Sequence, residues 1–341
     1  MNETILNVEN LKTHFFTDEG ILKALDGVSF SIGRQETLGV IGESGCGKSV
    51  TAQSVLRIVP PPGKTVDGSA QLFLNGDSGN SSGSVDLLRM KPTGEEIRAI
   101  RGKEISMIFQ EPMTSLSPVH KVGDQIAEAL LIHTTNDQAL ASEIAIDMLD
   151  KVGIPNPEER AKSYPFQLSG GMRQRVMIAM ALSCNPKLLF ADEPTTALDV
   201  TVQAQILELM KELQDQLGMS VMFITHDLGV IAEIADRVVV MYLGRVVESA
   251  PVKELFRNPL HPYTANLLKS IPRVGKQRGQ RLQTIQGTVP APLDLPRECP
   301  FMSRCDQAMP GVCDRAIPSL EPVGTDHTVR CFLHHETNEV A

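Results

Sequence analysis

The sequence predicts an α/β fold organised around a phosphate-binding loop, and three observations carry that reading. Gly42-Glu43-Ser44-Gly45-Cys46-Gly47-Lys48-Ser49 reads G-x-x-x-x-G-K-S. The apolar, strand-forming run Thr37–Ile41 precedes it, and Val50–Val59 follows with apolar residues at helical spacing up to the breaker Pro60-Pro61-Pro62. Further along, short apolar runs end in polar residues and lead into helical segments, as the strands of an α/β sheet do. Glycines let successive backbone N–H groups turn toward one anion, and the N-terminus of the following helix adds positive potential. In such a loop Lys48 reaches the β- and γ-phosphates and the Ser49 hydroxyl ligates Mg²⁺. At glycine usage of ~7%, the pattern arises by chance in roughly one chain in a hundred of this length. The flanking strand and helix lower that figure further, and nucleotide binding is the expectation.

A chain of 341 residues has room for one large domain or two, with a sizeable core. Its 32 basic and 41 acidic residues leave a net charge of −9, so no cationic field points to nucleic acid. Trp is absent and aromatics are sparse, which leaves few platforms for stacking bases. No apolar run approaches the ~20 residues of a membrane span. Met1–Asn10 lacks the basic start and apolar block of a signal peptide. A cytosolic location is expected, where six cysteines are not structural disulfides.

Residues 3–31 read as short strands, Ile5–Val8 and Ala24–Ser31, separated by the turn residues Asp18-Glu19-Gly20. Phe15 and Phe16 lie in the connection, and such a pair ordinarily belongs to a core. Gly68–Leu74 reads as a strand. The Gly/Ser-rich stretch 76–84 reads as a polar surface loop without chemistry. Glu104–Phe109 is a strand ending at Gln110-Glu111-Pro112. Residues 122–152 show helical periodicity interrupted by Thr134–Asp137, a helical insertion closed by the Pro-interrupted segment 155–165.

Leu168-Ser169-Gly170-Gly171 opens a helix from Met172 to Cys184; such a glycine pair serves as a cap or exposes N–H groups to an anion. Lys187–Glu193 is an apolar strand ending in two carboxylates. Behind a phosphate loop, one carboxylate holds the Mg²⁺ hydration shell and the other orients and deprotonates the attacking water. Asp199 precedes the helix Val200–Leu217, where N-capping is the simple role. Ser220–Thr225 is the next strand, with His226 at its carboxyl end, the edge where α/β sheets bind ligands. Arg237–Glu248 reads as a hairpin turning near Leu243-Gly244.

After residue 250 the composition changes: the last 91 residues hold half of the 22 prolines and four of the six cysteines. One helix, Pro262–Ser270, is periodic, and the rest reads as a separate irregular module with a thin core. Cys299, Cys305, Cys313 and Cys331 follow the spacing C-x₅-C-x₇-C-x₁₇-C. Small irregular modules need a staple. No C-x₂₋₄-C pair of the usual zinc type is present, whereas four thiolates also suit an iron–sulfur cluster, so both metals stay open on the residues alone.

Six motifs in this order resemble the ATP-binding subunits of ABC transporters across roughly residues 3–250. Gly42–Ser49 matches the Walker A loop and Leu188–Glu193 the Walker B strand with its following glutamate. Leu168–Met172 matches the ABC signature, with Met172 where the family usually has Gln. Gln110 matches the Q-loop, Ala197-Leu198-Asp199 the D-loop and His226 the switch histidine. Phe15 falls where the family places its adenine-stacking aromatic, against the core reading above. Phe109–Pro118 and Pro259-Leu260-His261-Pro262-Tyr263 are similar to the dipeptide/oligopeptide/nickel importer subgroup, whose ATPases carry a C-terminal extension. That resemblance covers nearly the whole chain. Cys46 stands where the subgroup generally has Ser. As a thiol beside Lys48 at a helix N-terminus, it is expected to be acidic and reactive.

The resemblance implies a RecA-like core with antiparallel β and helical subdomains in residues 1–250, the helical insertion spanning about 112–165, and an extension in 251–341. It implies an ATPase energising import of di- or oligopeptides. Nickel or glutathione are alternative solutes, and a soluble ABC ATPase acting on ribosomes or DNA, or an exporter half, are less fitting readings. Phe15 and Gly42 to Ser49 would bind ATP; Ser49, Gln110 and Asp192 would serve Mg²⁺; Glu193, Gln110 and His226 would be catalytic. Ser169, Gly170 and Gly171 would act on a partner's ATP, with Asp199 in the D-loop. Expected partners are a second homologous ATPase, two transmembrane permeases docking at the helical insertion and Gln110 loop, and an extracytoplasmic binding protein, with no nucleic acid. The location would be peripheral, on the cytoplasmic face of the inner membrane. Similar ATPases include members with a [4Fe–4S] cluster on four cysteines of the extension, so Cys299, Cys305, Cys313 and Cys331 are its expected ligands, with Zn²⁺ as the alternative. The cluster is expected to lie far from the ATP site.

Overall fold

The computed structural model describes residues 3–74, 83–110, 115–196, 198–270, 285, 287–290, 292–293 and 296–335. The first two strands, β1 (Thr4–Thr17) and β2 (Gly20–Gly33), form a long antiparallel hairpin turning at Asp18-Glu19. It runs past the strands read from sequence because register shifts at Val8/Leu11 and Thr13/His14 interrupt the alternation of apolar residues. The next strands are β3 (Thr37–Ile41), β4 (Gly63–Phe73), β5 (Ser84–Asp86) and β6 (Ile105–Ile108). After them come β7 (Leu188–Asp192), β8 (Ser220–Ile224), β9 (Arg237–Tyr242), β10 (Arg245–Pro251), β11 (Glu321–Pro322) and β12 (Thr328–Val329). Residues 76–82 of the Gly/Ser-rich stretch lie outside the described residues, and Ser84 opens β5.

The α-helices that accompany the strands include α1 (Lys48–Val55), α2 (Glu95–Ile100), α3 (Val122–His133), α4 (Gln138–Lys151), α5 (Pro157–Ala161), α6 (Gly170–Leu182), α7 (Val200–Leu217), α8 (Leu228–Ile234), α9 (Val252–Arg257) and α10 (Pro262–Lys269). The break between α3 and α4 falls at Thr134–Asp137, where Asp137 caps α4 by accepting from Ala139 and Leu140 N–H. Helices α3, α4 and α6 pack together as a helical layer, burying Ile126, Leu130, Met148, Leu149 and Val176.

Two sheets result. A four-stranded antiparallel sheet runs β2-β1-β4-β5, and an eight-stranded mixed sheet runs β11-β12-β10-β9-β3-β8-β7-β6. Strands β3, β7 and β8 are buried at every position, as strands covered on both faces are, and their sequences TLGVI, LLFAD and SVMFI show it. Strands β9, β3, β8, β7 and β6 are parallel neighbours.

The C-terminal residues join this sheet. Thr328 and Val329 of β12 pair antiparallel with Ser249 and Glu248 of β10. The Glu248 carboxylate is fully buried; it accepts from Leu260 N–H at 2.7 Å and His261 N–H at 3.0 Å, and lies 2.7 Å from His327 Nε2. Such a charge is tolerated inside only with several partners. The extension is thus fastened to the core sheet at a buried carboxylate, and its thin apolar content is offset by core residues it packs against.

Candidate functional site

Parallel strands end on one edge of a sheet, and β3, β8, β7 and β6 are consecutive there. Each delivers a polar group: the glycine loop after β3, His226 after β8, Asp192 and Glu193 at the end of β7, and Gln110 after β6. Two glycines in the loop are sterically required. A Cβ on Gly42 would lie 2.2 Å from the Met241 carbonyl oxygen, and one on Gly47 would lie 2.7 Å from that of Ala24. Both also have positive φ, +151° and +102°. Lys48 is buried, and its Nζ donates to the carbonyls of Gly42 at 2.8 Å and Glu43 at 3.2 Å.

Ser49 opens into the site and its Oγ donates to Asp192 Oδ1 at 3.0 Å. Asp192 is buried, and burial pushes its carboxyl above the usual range, opposed by the Ser49 hydrogen bond and reinforced by the Glu193 charge. A buried carboxylate bonded to a neutral hydroxyl leaves negative charge to be balanced. Hard oxygen donors of this kind fit Mg²⁺.

Glu193 sits one residue past the strand at φ +46°, an unusual conformation for a non-glycine residue, with its N–H bonded to the Ile224 carbonyl at 2.8 Å. Its Oε2 accepts from Gln110 Nε2 at 3.1 Å and from Thr196 Oγ1 at 2.9 Å, and its Oε1 lies 3.3 Å from His226 Nδ1. The structure therefore gathers Lys48, Ser49, Asp192, Glu193, Gln110 and His226 into one cluster. Thr196 was not singled out from the sequence; its place three residues after Glu193 was the available cue.

Other sequence-predicted residues sit elsewhere. Ser169 caps α6 by accepting from Met172 N–H at 3.3 Å. It and Gly170 are exposed, and a Cβ on Gly170 would meet nothing within 4 Å. Among the described residues, no hydrogen bond or ion pair links Ser169, Gly170 or Gly171 to the cluster. Asp199 is exposed and caps α7 through Val202 N–H at 3.0 Å; Ala197 lies outside the described residues. Phe15 is half-buried on β1, two residues from Thr13, whose hydroxyl lies 2.7 Å from Ser54 of α1. Its ring packs against Gly63, where a Cβ would come within 2.8 Å of it. Glu111–Thr114 lie outside the described residues.

Two expectations are corrected. The Cys46 thiol is 1% exposed, and burial pushes its pKa up by more than the Lys48 charge lowers it, so it is not an acidic, reactive thiol. The cysteine module is also not remote from the phosphate loop. Arg304, one residue before Cys305, grips both carboxylate oxygens of Glu43, with Nη1–Oε2 at 2.6 Å and Nη2–Oε1 at 2.9 Å.

The four thiols Cys299, Cys305, Cys313 and Cys331 are gathered in this module. Cys299 N–H donates to the Cys313 carbonyl at 2.8 Å, and Cys313 and Cys331 are buried. Burial, with the other three thiols adding to it, pushes Cys331 up to about 11. Burial and the charges of Cys313 and Cys305 likewise push Cys299 up to about 11. Among the described residues no group of three or more His, Cys, Asp or Glu is set to hold a metal ion, so neither the expected [4Fe–4S] site nor the zinc alternative is preformed.

Fold and cluster together define a phosphate-loop nucleoside triphosphatase. The family model described as ABC transporter matches residues 25–196, and that described as oligopeptide/dipeptide transporter, C-terminal region, matches residues 247–313. A putative peptide import ATP-binding protein of Brucella abortus is 50% identical, with 98% of each chain covered. The dipeptide transport ATP-binding protein DppD of Bacillus subtilis is 49% identical, covering 99% of this chain and 97% of that one. Among solved structures, the ATP-binding cassette MJ0796, in a dimeric post-hydrolysis state bound to ADP and Pi, matches at TM-score 0.62 and 25% identity, covering 73% of this chain and 99% of that one. The chain belongs to the ABC transporter ATPases that carry the oligopeptide/dipeptide transporter C-terminal region. It is an ATPase coupled to transport. Among the described residues no helix is long and apolar enough to cross a membrane.

Proposed function

We propose that this chain is the ATP-hydrolysing subunit of a multisubunit peptide importer. The observation that carries the reading is the cluster on the edge of β3, β8, β7 and β6, joined to a C-terminal region of the oligopeptide/dipeptide type. The loop from Gly42 to Ser49, with Phe15 against the base, binds ATP. Ser49, Asp192 and Gln110 would hold Mg²⁺, which would neutralise phosphate charge during hydrolysis. Glu193 orients the attacking water and takes its proton. Gln110, Thr196 and His226 fix the Glu193 carboxylate, so it meets the water without reorganising.

Ser169, Gly170 and Gly171 lie apart from this cluster and are open to solvent or only half-buried, which supports their acting on nucleotide held by another subunit, with Asp199 beside that contact. The ATPase unit is then a dimer, here a heterodimer with a related chain. Residues 1–250 carry the nucleotide chemistry, the helical layer and Gln110 loop face two permeases, and residues 251–341 form the extension. An extracytoplasmic binding protein supplies the peptide, and the chain sits peripherally on the cytoplasmic face of the inner membrane. Cys299, Cys305, Cys313 and Cys331 ligate a [4Fe–4S] cluster, supported by the shared thiol neighbourhood and tested by iron, sulfide and zinc analysis after anaerobic purification.

Comparing ATPase rates tests the assembly. The isolated chain turns ATP over slowly, and reconstitution with its cognate ATPase, permeases and peptide-loaded binding protein raises the rate. Full activity in a verified monomer contradicts the reading.

A further inference from the structure

Glu43 is the second residue of the phosphate loop, and three of its groups are engaged from outside or beside the loop. Its carboxylate receives the two parallel hydrogen bonds from Arg304, whose side chain is 4% exposed. Its N–H donates to the Tyr263 hydroxyl at 2.9 Å, and Tyr263 is fully buried on α10. Its carbonyl oxygen accepts from Lys48 Nζ at 3.2 Å. Both outside partners belong to the C-terminal extension, 220 and 261 residues along the chain from Glu43.

Neither partner is loosely held. Tyr263, Tyr242 and Phe301 form a buried aromatic triangle with ring centroids 4.8 to 5.4 Å apart. The Arg304 guanidinium lies 5.8 Å over the Tyr242 ring and donates to its hydroxyl at 3.3 Å. Arg304 itself ends the turn between Cys299 and Cys305, closed by Met302 N–H on the Cys299 carbonyl and Cys305 N–H on that of Met302. A rigid mount of this kind transmits position.

We propose that Arg304 and Tyr263 are positioning residues for ATP binding: the extension holds Glu43, and through Glu43 sets the loop carbonyls that place Lys48. Lys48 must leave those carbonyls for the phosphates when nucleotide enters. With Glu43 clamped, the loop keeps its shape while Lys48 moves; with the clamp cut, nucleotide must also order the loop. The loss falls on nucleotide affinity, before the chemical step. The proposal rests on the ATP reading of the site.

Equilibrium binding of MgATP to the full chain, with kcat and KM of the assembled complex, tests it. Arg304→Ala raises the Kd and KM for MgATP about tenfold and leaves kcat within about twofold. Arg304→Lys falls between, because a point charge cannot make two parallel bonds. Tyr263→Phe raises the Kd by a smaller factor. In a Glu43→Ala background, Arg304→Ala has no further effect on Kd, because the coupling runs through the removed side chain. Wild-type affinity in Arg304→Ala, or an equal effect in both backgrounds, overturns the proposal. Should Arg304→Ala not fold, Arg304→Lys and Tyr263→Phe decide, and wild-type Kd in both overturns it. Failure of the wild-type chain to bind MgATP would instead overturn the ATP reading itself.

Discussion

Cys46 occupies a position where burial and a neighbouring cation compete for control of the thiol, and burial wins. Its sulfur is 4.0 Å from Lys48 Nζ but packs into the core cluster behind the loop with Leu25, Val40 and Ala52. Maleimide is therefore expected to leave Cys46 unmodified in the native nucleotide-free protein and to label it only after denaturation, as peptide mapping would show. Rapid native labelling prevented by MgATP would contradict that packing. The sequence carried half of this: it showed a thiol beside a lysine but not the wall behind it. The same limit hid Arg304 and Tyr263. Tyr263 stood in a motif with no role attached, and nothing local marks an arginine whose partner lies 261 residues away. By contrast Asp192 and Glu193 were legible because they sit at a strand end, and Lys48 and Ser49 because they open the helix that follows the glycine loop.

At the scale of elements, the weld between β10, α10 and β12 ties the extension to the core. His261 caps α10 by accepting from Tyr263 N–H at 3.0 Å, and burial lowers its pKa to about 4. The Glu248 charge and a hydrogen bond with the Arg330 backbone oppose that shift, while the charges of His334 and Arg330 add to it. The folded state thus holds His261 neutral where the unfolded chain would protonate it, so stability is complete above pH 6.5 and falls as pH drops toward about 4. A displacement of this size corresponds to roughly 3 kcal/mol. Denaturant midpoints measured from pH 7 to pH 5 should decline, and His261→Asn, which keeps an acceptor for the cap, should flatten the decline. An unchanged slope in His261→Asn would assign the acid sensitivity to another group.

These elements were unevenly legible. Helix α7 and the α3–α4 break were read within a residue or two, because long apolar periodicity and turn residues mark them. Strand β12 and the six-residue helices α2 and α9 were not, since two to six residues span too little of a period to register.

On the scale of the whole molecule, one sheet joins three tasks. Its centre presents the phosphate loop and both carboxylates, its β6 side leads through Gln110 to the helical layer, and its β10 edge takes up the cysteine-bearing extension. Hydrogen bonds tie the site to both sides, from Glu193 to Gln110 and from Glu43 to Arg304 of the extension. Near residue 250 the composition of the sequence changes. The sheet nevertheless continues from β10 to β12, which the sequence did not show, because strand pairing between distant segments leaves no mark in either one alone.

In the proposed mechanism the Glu193 carboxylate, held by Gln110, Thr196 and His226, activates the attacking water. Steady-state turnover and nucleotide retention of Glu193→Gln in the assembled complex test it most directly. Glu193→Gln is expected to bind MgATP near wild type, to turn over more slowly by about 10² or more, and to hold a closed ATPase dimer that persists on size-exclusion chromatography. Turnover close to wild type, with no trapped dimer, would place the base elsewhere.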